Sequence, residues 1–262
     1  MKNFASPLAD RIDRYLETHE EQRTYCADPG ALLRDVKVNW STWAKWYEPG
    51  SKTVGKTTFI IPEEAREAAG DFTRNEKSPI DRNRLESLSR DATTDEARIR
   101  LLVATMAWGS GTTNGRGPRN TAKAVADPNL DSTLEKTREH VAIGDLSAAH
   151  DAFRLAGIGE AFFTKWFWAC SLGFEYRQQA LILDLRVRES LWSACGKGWS
   201  RPSGSAGYVD YIELLHDVAS QLTRTYPNMT AEKIEWLLFD RTKASVPIDQ
   251  RCFYGSMLHD CE

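Results

Sequence analysis

The chain has 262 residues, is 41% hydrophobic and 27% charged, and carries a formal net charge of −3. That length and composition suffice for one sizeable globular unit, and the slight acidity excludes a protein that coats nucleic acid through bulk charge, while leaving room for local phosphate contacts at helix N-termini. No apolar run reaches the roughly 18 residues that span a bilayer.

The five cysteines are widely spaced, without a zinc or iron–sulfur pattern, and the histidines have no metal-ligand spacing. Neither a metal nor a cofactor is expected, and no membrane partner. The N-terminal stretch MKNFASPLADRIDRYL breaks into charges at once, unlike a secretory signal, so the expected location is cytoplasmic, with reduced thiols.

In chain order, Ser6-Pro7 predicts a helix start, an N-cap followed by proline at the first helical position. Leu8, Ile12, Tyr15 and Leu16 then share a face. Residues 26–90 are irregular by pattern, with a tryptophan-rich stretch, VNWSTWAKWYEPGSK, and a candidate strand, TTFII. Residues 62–95 are polar and read partly as a linker or surface segment. The expected organisation is an N-terminal helix plus irregular region (1–92), a main helical domain (93–245) and a C-terminal tail (246–262).

From residue 93 the pattern sharpens. Thr93-x-x-Glu96 is a capping-box signature ahead of ARIRLLVATMAW. A glycine-rich loop, GSGTTNGRGPRN, carries Arg116 and Arg119 with Lys123 beyond it; these are candidate phosphate contacts or simply a solvated loop. Residues 147–156 predict a helix, Gly157-Ile158-Gly159 a turn, and AFFTKWFWACSLG a second helix. Tyr208, Tyr211, Ile212, Leu215, Val218, Ala219 and Leu222 predict an amphipathic helix, and Thr230 a cap for AEKIEWLLF. The fold class is mainly α.

Three features of residues 147–188 bear on chemistry. Two glycines around one aliphatic residue let the backbone turn sharply, and the N–H groups opening the next helix then face outward, where a phosphate can sit. Helix hairpins of any function use such turns. Lys165 lies in an apolar, aromatic helix, either snorkelling or serving as an amine of altered basicity. Asp184 in LILDLRV is either an N-cap or a catalytic carboxylate. Among the tryptophans, Trp108 and Trp166 are candidates for an exposed stacking face; the alternative for each is the core.

The order hairpin, lysine, aspartate resembles the helix-hairpin-helix DNA glycosylase superfamily, particularly the 8-oxoguanine DNA glycosylase group. AHDAFRLAGIG looks like its first helix and hairpin, and LDLRV like the segment bearing its essential aspartate. FFTKWFW…LILDLRV looks like compact bacterial members of that group. The resemblance covers about residues 95–240 and none of 26–90. Superposing the hairpins puts the family's lysine at Ala161, one helical turn before Lys165 and on the same face.

The resemblance implies a helical DNA glycosylase with abasic-site lyase activity, acting as a monomer on double-stranded DNA that holds a damaged or modified base. Lys165 and Asp184 would be catalytic, and Gly157, Ile158, Gly159, Arg116 and Arg119 would contact DNA. The base would be 8-oxoguanine, or a modified pyrimidine of bacteriophage DNA in an antiviral defence role. The rival readings are a non-catalytic hairpin DNA-binding module and a helical interaction scaffold.

Overall fold

A computed structural model describes residues 4–31, 35–110, 116–174, 178–195 and 202–240. The expected tail lies outside the described residues. Among them, thirteen α-helices and one short antiparallel ribbon make the fold, so the chain is mainly α as its patterning predicts.

Helix α1 (Ala5–Thr18) buries Leu8, Ala9, Ile12 and Leu16 and packs on a later helix, α12 (Gly204–Leu222). It starts two residues early: Phe4 holds the cap position without a side-chain bond, and Ser6 lies inside the first turn. Next come α2 (Glu20–Ala27), α3 (Trp40–Ala44) and a ribbon of β1 (Lys52–Val54) and β2 (Thr57–Phe59), paired Lys52 to Phe59. Trp40 and Trp43 are core residues.

Residues 62–95 are not a linker. They form α4 (Glu63–Asn75) and α5 (Arg82–Asp91), both packed on α6 (Asp95–Ser110). Their inner faces are Ala65, Ala68, Ala69 and Phe72, then Leu85 and Leu88. Alanine-rich faces bury area with little hydrophobic signal, which is why the pattern reads as polar. The charges pair on the outside, Arg84 with Glu76 at 2.8 Å and Arg82 with Glu86 at 3.3 Å. The α6 cap is Thr94, whose hydroxyl accepts from the Ala97 N–H at 3.3 Å, one residue beyond the predicted Thr93.

Helix α6 is buried nearly all round, from Leu101 to Ala107, as befits a central helix. Against it lie α7 (Arg116–Val125), α8 (Leu130–Ala142) and α10 (Glu160–Ser171), with α9 (Leu146–Ala152) packed on α8 and α12. Arg116 and Arg119 thus belong to a helix rather than to the glycine-rich loop; positions 111–115 of that loop lie outside the described residues. Helices α11 (Leu185–Cys195) and α13 (Ala231–Phe239) pack on each other, and Thr230 caps α13 as predicted. One core cluster takes in residues from α1 through α13, on both sides of residue 92.

Candidate active site

The site depends on a buried stretch that is neither helix nor strand. Residues 178–184 run between α10 and α11, and Ala180, Leu181, Ile182 and Leu183 are buried. An unpaired buried backbone is costly, and here side chains satisfy it. Tyr208 donates to the Leu181 carbonyl (2.8 Å) and Tyr211 to the Ile182 carbonyl (2.9 Å). The Ile182 N–H donates to Glu235 Oε2 (2.6 Å), and the Leu183 N–H to Thr164 Oγ1 (3.1 Å). Three helices therefore pin the segment just before Asp184, the last of them through the residue adjacent to Lys165.

Asp184 opens α11. Its Oδ1 accepts from the Val187 N–H at 3.0 Å, so it is an N-cap. It also lines a cavity of about 380 Å³, and the two roles are compatible because a carboxylate has a second oxygen.

Lys165 lines the same cavity and is 8% exposed. Its side chain runs back along α10, so that Nζ donates to the Ala161 carbonyl at 3.0 Å and lies 5.3 Å from the Phe162 ring centre. The amine thus sits at the level of Ala161, one turn back, which accounts for the register offset seen in the sequence. Burial pulls the basicity of Lys165 below that of an ordinary lysine, with Asp184 and then Glu235 acting the other way.

Gly109 makes room for this lysine. A Cβ at that position would lie 2.5 Å from Lys165 Cδ and 3.0 Å from Cε. The same cavity is walled by two stacked aromatic pairs: Trp108 on Trp168, ring centres 4.6 Å apart, and Tyr25 on Trp236, 3.7 Å apart. Trp168 Nε1 donates to Glu232 Oε1 at 2.9 Å, and Arg82 Nε reaches the same oxygen at 3.4 Å. Glu235, 8% exposed, also lines the cavity, and burial pushes its carboxyl well above the usual range.

Sequence reasoning singled out Trp108 but not the roles of Gly109, Tyr25, Glu232, Glu235 and Trp236. The one available signal is in AEKIEWLLF, where Glu232, Lys233 and Glu235 interrupt an apolar helix; all three are buried. Trp166 is a core residue, fully buried and donating to Thr137 Oγ1 at 2.9 Å, and it does not reach the cavity.

The hairpin is present between α9 and α10, with α9 ending at Ala152, earlier than the pattern predicts. Gly157 has φ +86°, and a Cβ there would lie 2.9 Å from the Asn120 carbonyl oxygen. Gly159 is ordinary extended backbone (φ −88°) with open space around it, so the turn itself requires only Gly157. Ile158 packs on the core, filling the gap as expected. Asn120 and Lys123 of α7 abut Gly157, which brings the basic helix to the hairpin. Arg116 is exposed; Arg119 is half-buried, its Nε 3.4 Å from Asn120 Oδ1.

A buried amine of reduced basicity, a carboxylate and aromatic walls around one cavity can hold a planar group and attack an electrophilic carbon beside it. The family model described as "Putative 8-oxoguanine DNA glycosylase OGG-like protein" matches residues 33–239. The match begins well before residue 95, so the region from α3 to α5 is part of the family's fold. No curated protein and no solved structure matches the chain.

Proposed function

From the premise that this chain belongs to the OGG-like 8-oxoguanine DNA glycosylase family, we propose that it excises an oxidised or modified base from duplex DNA and cleaves the resulting abasic strand. The observation that carries this reading is the shared cavity of Lys165 and Asp184, walled by Trp108–Trp168 and Tyr25–Trp236. The duplex docks by its phosphates on the outward N–H groups of the Gly157–Gly159 hairpin and on Arg116 and Arg119, and the target nucleotide flips into the cavity.

The neutral amine of Lys165 attacks C1′ of the flipped nucleotide. The bond from C1′ to the base breaks, its electron pair leaving with the base. The Asp184 carboxylate stabilises the positive charge that develops on the sugar. Ring opening turns the adduct into a Schiff base; loss of a C2′ proton then expels the 3′ phosphate.

The test is a panel of duplex oligonucleotides, each carrying one altered base, with 8-oxoguanine first and bulky modified pyrimidines included. Borohydride added during turnover is expected to trap a covalent protein–DNA adduct on the cognate duplex. Binding without excision of any base would favour a DNA-binding module, and no binding at low or high salt a scaffold. Excision that leaves the strand intact would make the enzyme a glycosylase without lyase activity.

A further inference from the structure

We propose that Glu235 is the general acid of this site, protonating the departing base as Lys165 attacks C1′. The inference rests on the reading of the cavity as the excision site. Glu235 sits on α13 and lines the cavity together with Lys165, Asp184 and the two aromatic pairs. Its Oε2 is occupied by the Ile182 N–H. Among the described residues the other carboxyl oxygen has no protein hydrogen bond, which leaves a hydroxyl free to turn to the cavity.

The groups around it divide the work. Glu232, on the same helix, is engaged by Trp168 and Arg82. Asp184 caps α11. The hydroxyls of Tyr208 and Tyr211 on α12 donate to Leu181 and Ile182. Lys165 on α10 is the cation acting on Glu235, at a distance beyond ion-pair contact. Burial favours the neutral acid, and nearby Glu232 and Asp184 add to that; the Ile182 N–H and Lys165 oppose it. A carboxyl group and an amine that burial each biases toward the neutral form make an acid–nucleophile arrangement.

The step balances. Lys165 gives its lone pair to C1′. The C1′–N bond breaks and its electron pair stays on the base, which takes the Glu235 proton and leaves neutral. The aminium at Lys165 loses a proton to water, and the Glu235 carboxylate regains one from water.

The experiment compares wild type with Glu235→Gln on two duplexes, one with 8-oxoguanine opposite cytosine and one with a preformed abasic site. An amide oxygen still accepts from Ile182 but the amide has no acidic proton to give. Base release by the variant is expected to fall about 10²-fold, the usual scale of general acid catalysis, while abasic strand cleavage and borohydride trapping stay within about twofold. In wild type, base release is expected to decline on the alkaline side as Glu235 ionises, while abasic cleavage does not; the variant lacks that limb.

Base release by Glu235→Gln within about threefold of wild type would overturn the inference. Equal loss on both duplexes would do so too, by assigning Glu235 to the amine or the fold. If the variant fails to fold, the wild-type pH comparison decides alone: parallel profiles on the two duplexes overturn the inference. Wild type that cleaves the abasic strand yet releases neither 8-oxoguanine nor any other base of the panel overturns it and leaves the lysine reading intact. No reaction of wild type on either duplex removes both.

Discussion

Two regions of this molecule each bury a lysine, and they use it in opposite ways. At the junction of α2 and α13, Lys233 is 1% exposed and donates to three carbonyls: Cys26 at 2.8 Å, Asp28 at 2.7 Å and Asn228 at 2.9 Å. Every ammonium hydrogen has a partner, and the side chain clamps the C-terminal end of α2 to α13. At the cavity, Lys165 is 8% exposed and has one such bond, to Ala161, with empty space beside it. Burial lowers the basicity of both. The difference lies in what holds the ammonium form: three fixed carbonyls at Lys233, and one carbonyl with the Asp184 carboxylate nearby at Lys165. A satisfied lysine is a structural tie, whereas an under-satisfied one beside a cavity is free to act as a nucleophile.

Removing each lysine should break this comparison in opposite directions. Lys165→Gln is expected to abolish borohydride trapping and strand cleavage, a loss of roughly 10³-fold or more, while DNA affinity and the melting temperature hold or rise. In wild type, trapping on an abasic duplex should rise with pH through the lowered basicity of Lys165 and level off below the range of an ordinary lysine. A rise that continues into that range would mean the amine is not depressed. Residual adduct in Lys165→Gln would move the nucleophile elsewhere.

Asp184→Asn separates cap from charge. Asparagine caps as well as aspartate, so stability should be retained while base release falls about 10²–10³-fold. Near-full excision by this variant would reduce Asp184 to its bond with Val187.

Lys233→Met is the counterpart, expected to cost roughly 3 kcal/mol in denaturant unfolding because the buried Cys26 carbonyl and the part-buried carbonyls of Asp28 and Asn228 lose a charged donor. Trapping per folded molecule should be unchanged. An unaltered unfolding midpoint would show that Lys233 is not a clamp.

Smaller effects test the elements around the cavity. Gly157→Val should cost about 2 kcal/mol, from positive φ and the Asn120 clash. Gly159→Val should leave stability within about 0.5 kcal/mol and weaken binding to all DNA sequences alike, because a phosphate contact carries no base information. Equal destabilisation by the two variants would contradict the open space at Gly159. Gly109→Ala, which displaces the Lys165 side chain, should slow trapping about tenfold with little change in melting temperature.

Much of the site's order along the chain is legible in the residues themselves. A lysine in an apolar helix and an aspartate before the next one are local anomalies, and the Gly157 turn marks the hairpin ahead of them. Helix α12 shows a 3.6-residue apolar period because its inner face is made of large side chains. Residues 62–95 lack that signal because alanines form most of the inner face of α4, only two leucines that of α5, and their charges are matched across helices only after folding.

What tertiary structure alone decided is which unusual residues meet. Glu235 and Asp184 are polar residues in unrelated segments; the Ile182 N–H bond and the cavity join them to Lys165. Lys233 and Lys165 are both lysines in apolar helices, and nothing local distinguishes the clamp from the proposed nucleophile. Trp166 and Trp168 are two positions apart on one helix, yet one is sealed in the core against Thr137 and the other walls the cavity. Spacing along a helix sets a residue's direction; what lies in that direction depends on packing between elements distant in the chain. Local sequence thus determines the helices and the anomalies they carry, while packing determines which of those anomalies are neutralised and which are left facing a cavity.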